Sequence, residues 1–362
     1  MEWSEVIRLI AGVVLLAGGA ELLVRGASRL ALSLGLSPLV VGLTVVGYGT
    51  SAPEVAVSLS SALKGSTDMA MGNVVGSNIV NILLILGASA LMAPLVISKR
   101  LVRVDVPLMI GVGVLAFVMA RDGSVSRIDG LLLFAGAITY TVVAIATGRN
   151  KSDEATGDPT PPRRRSAIVI DLSAIVLGIA LLVYGANLLV GSATVIARSF
   201  GVSDLVIGLT VVAVGTSLPE LATSLMAAFR GEREIAAGNV IGSNLFNILL
   251  VLGGTAAVAP QGVSVAPAMI AFDLPVMLAV SVACLPIFLR GHVIARWEGG
   301  LFLFYFAMYF VYLGLASANH DALPKFSFAM MFFVIPLTVA TLAVIIVRQL
   351  RQTAAVPAPE TT

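Results

Sequence analysis

Residues 41–87 align with residues 207–253 at a constant offset of 166 and without a gap, and 28 of the 47 positions are identical. Each copy carries the same two signatures in the same order. The first reads "GTSAPE" and then "GNVVGSNIVNILLILG"; the second reads "GTSLPE" and then "GNVIGSNLFNILLVLG". The likeness extends weakly back to "GGAE" at 18 against "YGAN" at 184, and forward to Pro94 and Pro260. After a two-residue slip, "VDVPLM" resembles "FDLPVM". Whatever this chain folds into is therefore built from two like halves.

The surroundings of the signatures say which solvent the halves fold in. Hydrophobic residues make up 58% of the 362 and charged residues 12%, whereas a soluble domain carries about 25% charged residues. Such a chain cannot cover a surface in water, so it is an integral membrane protein whose main partner is the lipid bilayer. About 20 apolar residues cross a bilayer as a helix. Eleven stretches qualify, near 6–32, 37–63, 68–94, 104–121, 128–147, 168–198, 203–229, 233–260, 269–289, 298–318 and 326–347. The second, third, seventh and eighth contain Gly, Pro or polar interruptions and read as broken helices. The N-terminus has an acidic start and no small-residue cleavage site, so it reads as the first span and not as a cleaved leader.

Orientation follows from Lys and Arg. With the N-terminus outside, 16 of the 22 basic residues fall in cytoplasmic segments, which favours N-terminus out and C-terminus in, in the plasma membrane. Five spans separate each position from its twin. Five is odd, so the twins enter the membrane from opposite sides, the inverted-repeat plan in which secondary transporters place a substrate site at the midplane. The expected fold is all-α: two inverted-topology repeats of five transmembrane helices each, at 1–147 and 168–318. A polar cytoplasmic linker at 148–167 joins them, and 319–362 add one extra C-terminal helix and a tail.

The signatures carry the chemistry. Pro53 and Pro219 have no N–H, so a carbonyl one turn back loses its helical partner, and in lipid that carbonyl needs another. Thr50 and Glu54 are four apart and share a helix face with it; Thr216 and Glu220 repeat this. Ser51 and Ser217 add hydroxyls. An isolated acid at a helix centre costs about 2.5–3.5 kcal/mol on insertion scales. Two such acids, brought together by repeat symmetry and without a basic partner nearby in sequence, call for a bound cation or a proton. In the second signature Ser77 and Asn81 share one face, mirrored by Ser243 and Asn247. Gly72, Gly76, Gly238 and Gly242 stand at the spacing that lets helix backbones approach closely. Asn73, Asn78, Asn239 and Asn244 cap the broken halves or ligate.

Carboxylate, hydroxyl, amide and carbonyl oxygens form a hard-ligand set suited to Ca²⁺ or Na⁺, and poorly suited to Zn²⁺ or Cu²⁺, which favour His or Cys. His292 and His320 fall in loops and read as solvated. The single cysteine, Cys284, reads as a buried apolar residue. Glu21 reads as an ion pair with Arg25, and Asp105 and Asp273 as acids at helix N-termini. No HExxH and no GxxxxGK[ST] occurs, which argues against an intramembrane metalloprotease and against ATP drive. No nucleic-acid partner, obligate protein partner or cofactor is expected.

These residues resemble the paired alpha-repeats of the cation/calcium exchanger superfamily, most closely the prokaryotic sodium/calcium exchangers, over roughly residues 5–318. The resemblance implies a non-enzymatic antiporter with Ca²⁺ and Na⁺ as substrates and four cation sites between broken helices. It implies Glu54 and Glu220 as central Ca²⁺ ligands, and backbone or side-chain oxygens from Thr50 and Thr216. Ser51, Ser77, Ser217 and Ser243 would line the sodium sites, Gly47 and Ala213 would offer carbonyls, and Asn81 would match the family's amide. The first and sixth helices would slide across the rest as a gate. Asn247 departs from the pattern, because many relatives carry Asp there. That keeps a proton/calcium antiporter of the same fold as the alternative.

Overall fold

The computed structural model describes residues 3–149, 165–200, 213–289 and 291–354. Most of the linker expected at 148–167 and the start of the seventh span lie outside these residues.

The first half contains α1 (Trp3–Leu34), α2 (Pro38–Thr50), α3 (Ala52–Leu63), α4 (Thr67–Met92), α5 (Leu101–Asp122) and α6 (Arg127–Arg149). The second contains α7 (Arg165–Ser199), the short α8 (Ala213–Gly215), α9 (Leu218–Phe229), α10 (Arg233–Val258), α11 (Met269–Leu289) and α12 (Arg296–Ser317). A further helix, α13 (Leu323–Val344), follows. Among the described residues nine helices are long and apolar enough to cross a bilayer, and α2 with α3, bent by 43° at Ser51, makes a tenth. The protein is an all-α, multi-pass membrane protein.

α1 and α7 are twins at the offset of 166 and they pack on each other lengthwise. A Cβ on Gly12 would lie 2.9 Å from the Gly185 carbonyl, one on Gly19 2.8 Å from that of Gly178, and one on Gly26 2.9 Å from that of Asp171. As one sequence ascends the other descends, so the twin helices run antiparallel. The glycines reciprocate: Gly178 meets Gly19 and Gly185 meets Gly12, the twin of each contact. Two short antiparallel ribbons repeat the relation between the halves, Leu95–Val96 with Val293–Ile294, and Ser124–Val125 with Val263–Ser264.

α4 and α10 form the buried centre, and α13 has no buried share in its apolar window. Close packing at the centre rests on small residues. A Cβ on Gly238 would come within 2.9 Å of the Leu39 carbonyl, and one on Gly242 within 2.6 Å of that of Leu43. Their twins Gly72 and Gly76 meet no such backbone among the described residues; the counterpart of residues 39–43 falls in 201–212, outside them.

Three expectations need correction. α4 and α10 are continuous, not broken. Neither contains a proline, and each accommodates its polar signature with a π-helical turn, at Asn81–Leu86 and Asn247–Leu252, a widening that keeps every backbone group in the helix. Asp105 stands near the start of its span as expected, but a buried network and not the helix dipole alone holds it. It is fully buried in a further π turn, Leu101–Asp105; Tyr140 donates to it at 3.1 Å and Arg100 lies 3.7 Å away. Asp273 likewise accepts from Tyr309 at 2.9 Å. His292 does sit in a turn, but it is half-buried beside the first ribbon, where its carbonyl accepts from Ile97 at 2.7 Å. Cys284 is buried as expected. Glu21 pairs with Arg25, and also with Arg230 at the end of α9.

Candidate functional site

Each proline stands in the first turn of a helix and not in its middle, the position where a missing N–H does no harm. The break falls one or two residues earlier. Ser51 has φ −78° and ψ 5°, and Ser217 has φ −89° and ψ 9°; both have left helical geometry. Glu54 and Glu220 therefore lie in the first turns of α3 and α9, where free N–H groups and the helix dipole favour a negative charge. Both are fully buried.

The halves then bond crosswise. Ser51 Oγ donates to Glu220 Oε1 at 3.3 Å, and Ser217 Oγ to Glu54 Oε1 at 3.4 Å. Thr50 Oγ1 donates to Asn239 Oδ1 at 3.1 Å, and Thr216 Oγ1 to Asn73 Oδ1 at 3.3 Å. Asn73 Nδ2 donates to the Glu54 carbonyl at 3.3 Å and to Ser58 Oγ at 2.9 Å. Asn239 does the same to the Glu220 carbonyl and to Ser224, at the same two distances. Asn73 and Asn239 thus fasten α4 to α3 and α10 to α9 at the break.

One face of α4 carries Asn73, Ser77 and Asn81, four apart, and one face of α10 carries Asn239, Ser243 and Asn247. Since Asn73 and Asn239 bond to the glutamate carbonyls, these faces turn toward the breaks. Eight buried side-chain oxygens on α3, α4, α9 and α10 have no hydrogen-bond partner. Two of them, Ser89 Oγ and Thr223 Oγ1, have no unpartnered twin; the other six are Glu54 Oε2, Glu220 Oε2, Ser77 Oγ, Ser243 Oγ, Asn81 Oδ1 and Asn247 Oδ1. These six are three twin pairs. A buried polar group left unsatisfied costs about 1–3 kcal/mol, so six at random would consume most of a stability of about 5–15 kcal/mol. Symmetric placement singles them out as candidate ligands for a cation. Six oxygens is the lower bound of the 6–8 that Ca²⁺ takes, and two carboxylates match its charge. Among the described residues no three His, Cys, Asp or Glu side chains cluster, so hydroxyls and amides complete the set, a donor chemistry for Ca²⁺ or Na⁺ and not for zinc.

Of the expected site residues, Thr50, Ser51, Glu54, Ser77 and Asn81 come together with Ser217, Glu220, Ser243 and Asn247, all buried. Thr216 is half-buried beside them. The Gly47 carbonyl accepts from the Ser51 N–H at 3.1 Å and from Thr50 Oγ1 at 3.5 Å. Ala213 begins α8. The ring of Phe246 lies against Gly47, 3.4 Å from where a Cβ would be, and stacks on Tyr48 with centroids 3.8 Å apart. The sequence flagged Asn73 and Asn239 for their place in the repeat without separating capping from ligation; their bonds assign them to capping.

The sodium/calcium exchanger protein family matches residues 4–146 and 171–316. CaxA of Alkalimonas amylolytica, described as an antiporter candidate, is 41% identical over 312 residues, 83% of this chain and 96% of that protein. The sodium/calcium exchanger MaX1 of Methanosarcina acetivorans is 35% identical over 341 residues, 84% of this chain and 97% of that one. The solved structure of the sodium-calcium exchanger NCX_Mj superposes with a TM-score of 0.73 at 32% identity, covering 84% of this chain and 96% of the other. The chain belongs to the sodium/calcium exchanger protein family and is a transporter, a cation/calcium antiporter, not an enzyme.

Proposed function

We propose that this protein exchanges Ca²⁺ for Na⁺ by alternating access, with both ions bound among Glu54, Glu220, Thr50, Thr216, Ser51, Ser217, Ser77, Ser243, Asn81, Asn247 and the carbonyls of Gly47 and Ala213. The six symmetric, unpartnered oxygens carry the reading. Empty, the site holds two carboxylates with no cationic side chain among the described residues bonded to either. Moving two bare charges into a dry pathway is costly, whereas one Ca²⁺ makes the charge zero. A loaded site can switch sides and an empty one cannot, so transport is exchange and not leak. The close glycine-lined contact joins α1 to α7 along their length, which supports their sliding as one unit over the remaining helices. The Lys and Arg distribution supports an outside N-terminus and a cytoplasmic C-terminus.

The test uses purified protein in sealed liposomes and radioactive Ca²⁺ uptake. One set carries an outward Na⁺ gradient without a pH gradient; the other carries an outward proton gradient without Na⁺. Uptake on the Na⁺ gradient, abolished by Glu54→Gln and by Glu220→Gln, is expected. Uptake on the proton gradient alone would replace Na⁺ by H⁺ as the driving ion. Wild-type rates in either glutamine variant would refute the site.

A further inference from the structure

The second signature supplies four fully buried asparagines, Asn78, Asn81, Asn244 and Asn247, and they pair across the halves. Asn247 Nδ2 donates to Asn78 Oδ1 at 3.1 Å. Asn81 Nδ2 donates to Asn244 Oδ1 at 3.0 Å. The outer member of each pair is itself oriented: Asn78 Nδ2 donates to Met277 Sδ at 3.5 Å, and Asn244 Nδ2 to Met109 Sδ at 3.6 Å and to the Asn78 carbonyl at 3.5 Å. Both methionines are buried. Each relay of methionine sulfur, outer amide and inner amide thus crosses between the halves, and the two relays are twins.

An amide is planar, with a donor on one side and an acceptor on the other. Once Nδ2 of Asn247 is committed to Asn78, its Oδ1 is turned the opposite way, and that oxygen is one of the six twinned oxygens without a partner. The same holds for Asn81. Were Asn78 flipped, its NH₂ would face the NH₂ of Asn247 and its oxygen would face a sulfur, losing both bonds. The sulfur therefore fixes the outer amide, and the outer amide fixes the inner one.

We propose that Asn78 and Asn244 are positioning residues that aim the side-chain oxygens of Asn247 and Asn81 at the transported cation, so that these two ligands are held as neutral carbonyls. The inference rests on the reading of the unpartnered buried oxygens as a cation site and adds to it a determinant of ion affinity. It also accounts for the neutral residue at 247: the inner position must donate an N–H to Asn78, which an ionised carboxylate cannot. The charge of the site is then set by Glu54 and Glu220 alone.

The experiment is a double-mutant cycle on Ca²⁺ binding to the purified full-length protein, measured by calorimetry. Loss of a residue that orients a metal ligand lowers affinity about 10–100-fold. Asn78→Leu, close in size but unable to bond, is expected to raise the dissociation constant about 10-fold or more, and Asn247→Ala to do likewise. The double variant is expected to be no weaker than the worse single one, because Asn78 acts only through Asn247. Independent effects that multiply, or undiminished affinity in Asn78→Leu, would overturn the proposal. The mirror cycle, Asn244→Leu with Asn81→Ala, must give the same pattern. If the leucines prevent folding, Asn78→Ser, which keeps an acceptor oxygen, must bind more tightly than Asn78→Ala; equal affinities would overturn the proposal. A wild type that binds no Ca²⁺ refutes the exchanger reading, and the same cycle is then decided with Na⁺ as the titrant.

Discussion

A carboxylate at the centre of a membrane protein must be held by something, and Glu54 and Glu220 are held from three directions. The first turn of a helix lies beneath each, a serine from the other half donates to one oxygen, and the second oxygen is left for an ion. Asn73 and Asn239 keep that arrangement rigid by tying the glutamate carbonyl to the neighbouring helix. Asn73→Ala removes three bonds and takes away the partner that Asn73 offers Ser58 Oγ and the Thr216 hydroxyl, at about 1–3 kcal/mol for each group left unsatisfied. A lower Tm in detergent is expected for Asn73→Ala and for Asn239→Ala, with a larger fall for Asn239→Ala, since Asn239 and Ser224 are both fully buried. Equal wild-type melting in both would show that the break does not need its fastening. The candidate site residues stand out in the sequence because a proline beside a glutamate is rare in apolar surroundings and here occurs twice. Their partners do not. A repeat shows that Ser51 and Ser217 are equivalent, but only folding shows that Ser51 serves the glutamate of the other half. Tyr140 and Tyr309, which bond the buried Asp105 and Asp273, carry no signal at all, because they come from spans more than thirty positions downstream.

Helices meet here through glycine. α1 and α7 cross by placing Gly12, Gly19 and Gly26 against backbone carbonyls within 3 Å of where a Cβ would be. A methyl group at such a place must push a main chain, which cannot fold away as a long side chain can. Gly18, next in the chain, has nothing within 4 Å. Gly19→Ala is therefore expected to destabilise the α1–α7 pair and to slow exchange, while Gly18→Ala, on the exposed face, leaves both unchanged or gains slightly in helix propensity. Thermal melting and the liposome uptake rate, read side by side, decide it; two equally impaired variants would exclude close approach as the cause. The helices themselves were readable to within a few residues from hydropathy. What hydropathy misjudged was α4 and α10, whose polar residues resemble breaks. Without proline a polar residue in a span does not force the backbone open, and a π turn absorbs it.

Among the described residues α13 is one of the helices long and apolar enough to cross a bilayer, and it lies at the edge of the bundle. α13 leaves its apolar window wholly unburied, and one side-chain bond, Tyr305 to Thr338 at 2.7 Å, ties it to α12. A chain ending at Asn319 is expected to fold, elute as the full chain does in size-exclusion chromatography, and exchange at a rate within about twofold of it; loss of transport would give α13 a part in the cycle. The duplication, the odd number of spans between twins and the two signatures made the plan of the halves readable before any coordinates. The crosswise bonding at the centre carries a further consequence. Neither half owns a finished site, since Ser51 completes the pocket of Glu220 and Ser217 that of Glu54. A half-length forebear of this chain could have gripped an ion only by pairing with a copy of itself inserted upside down. Fusing the two into one polypeptide removed the need to insert the same protein both ways up, and freed each copy to drift, as Glu21 and its twin Asn187 have done.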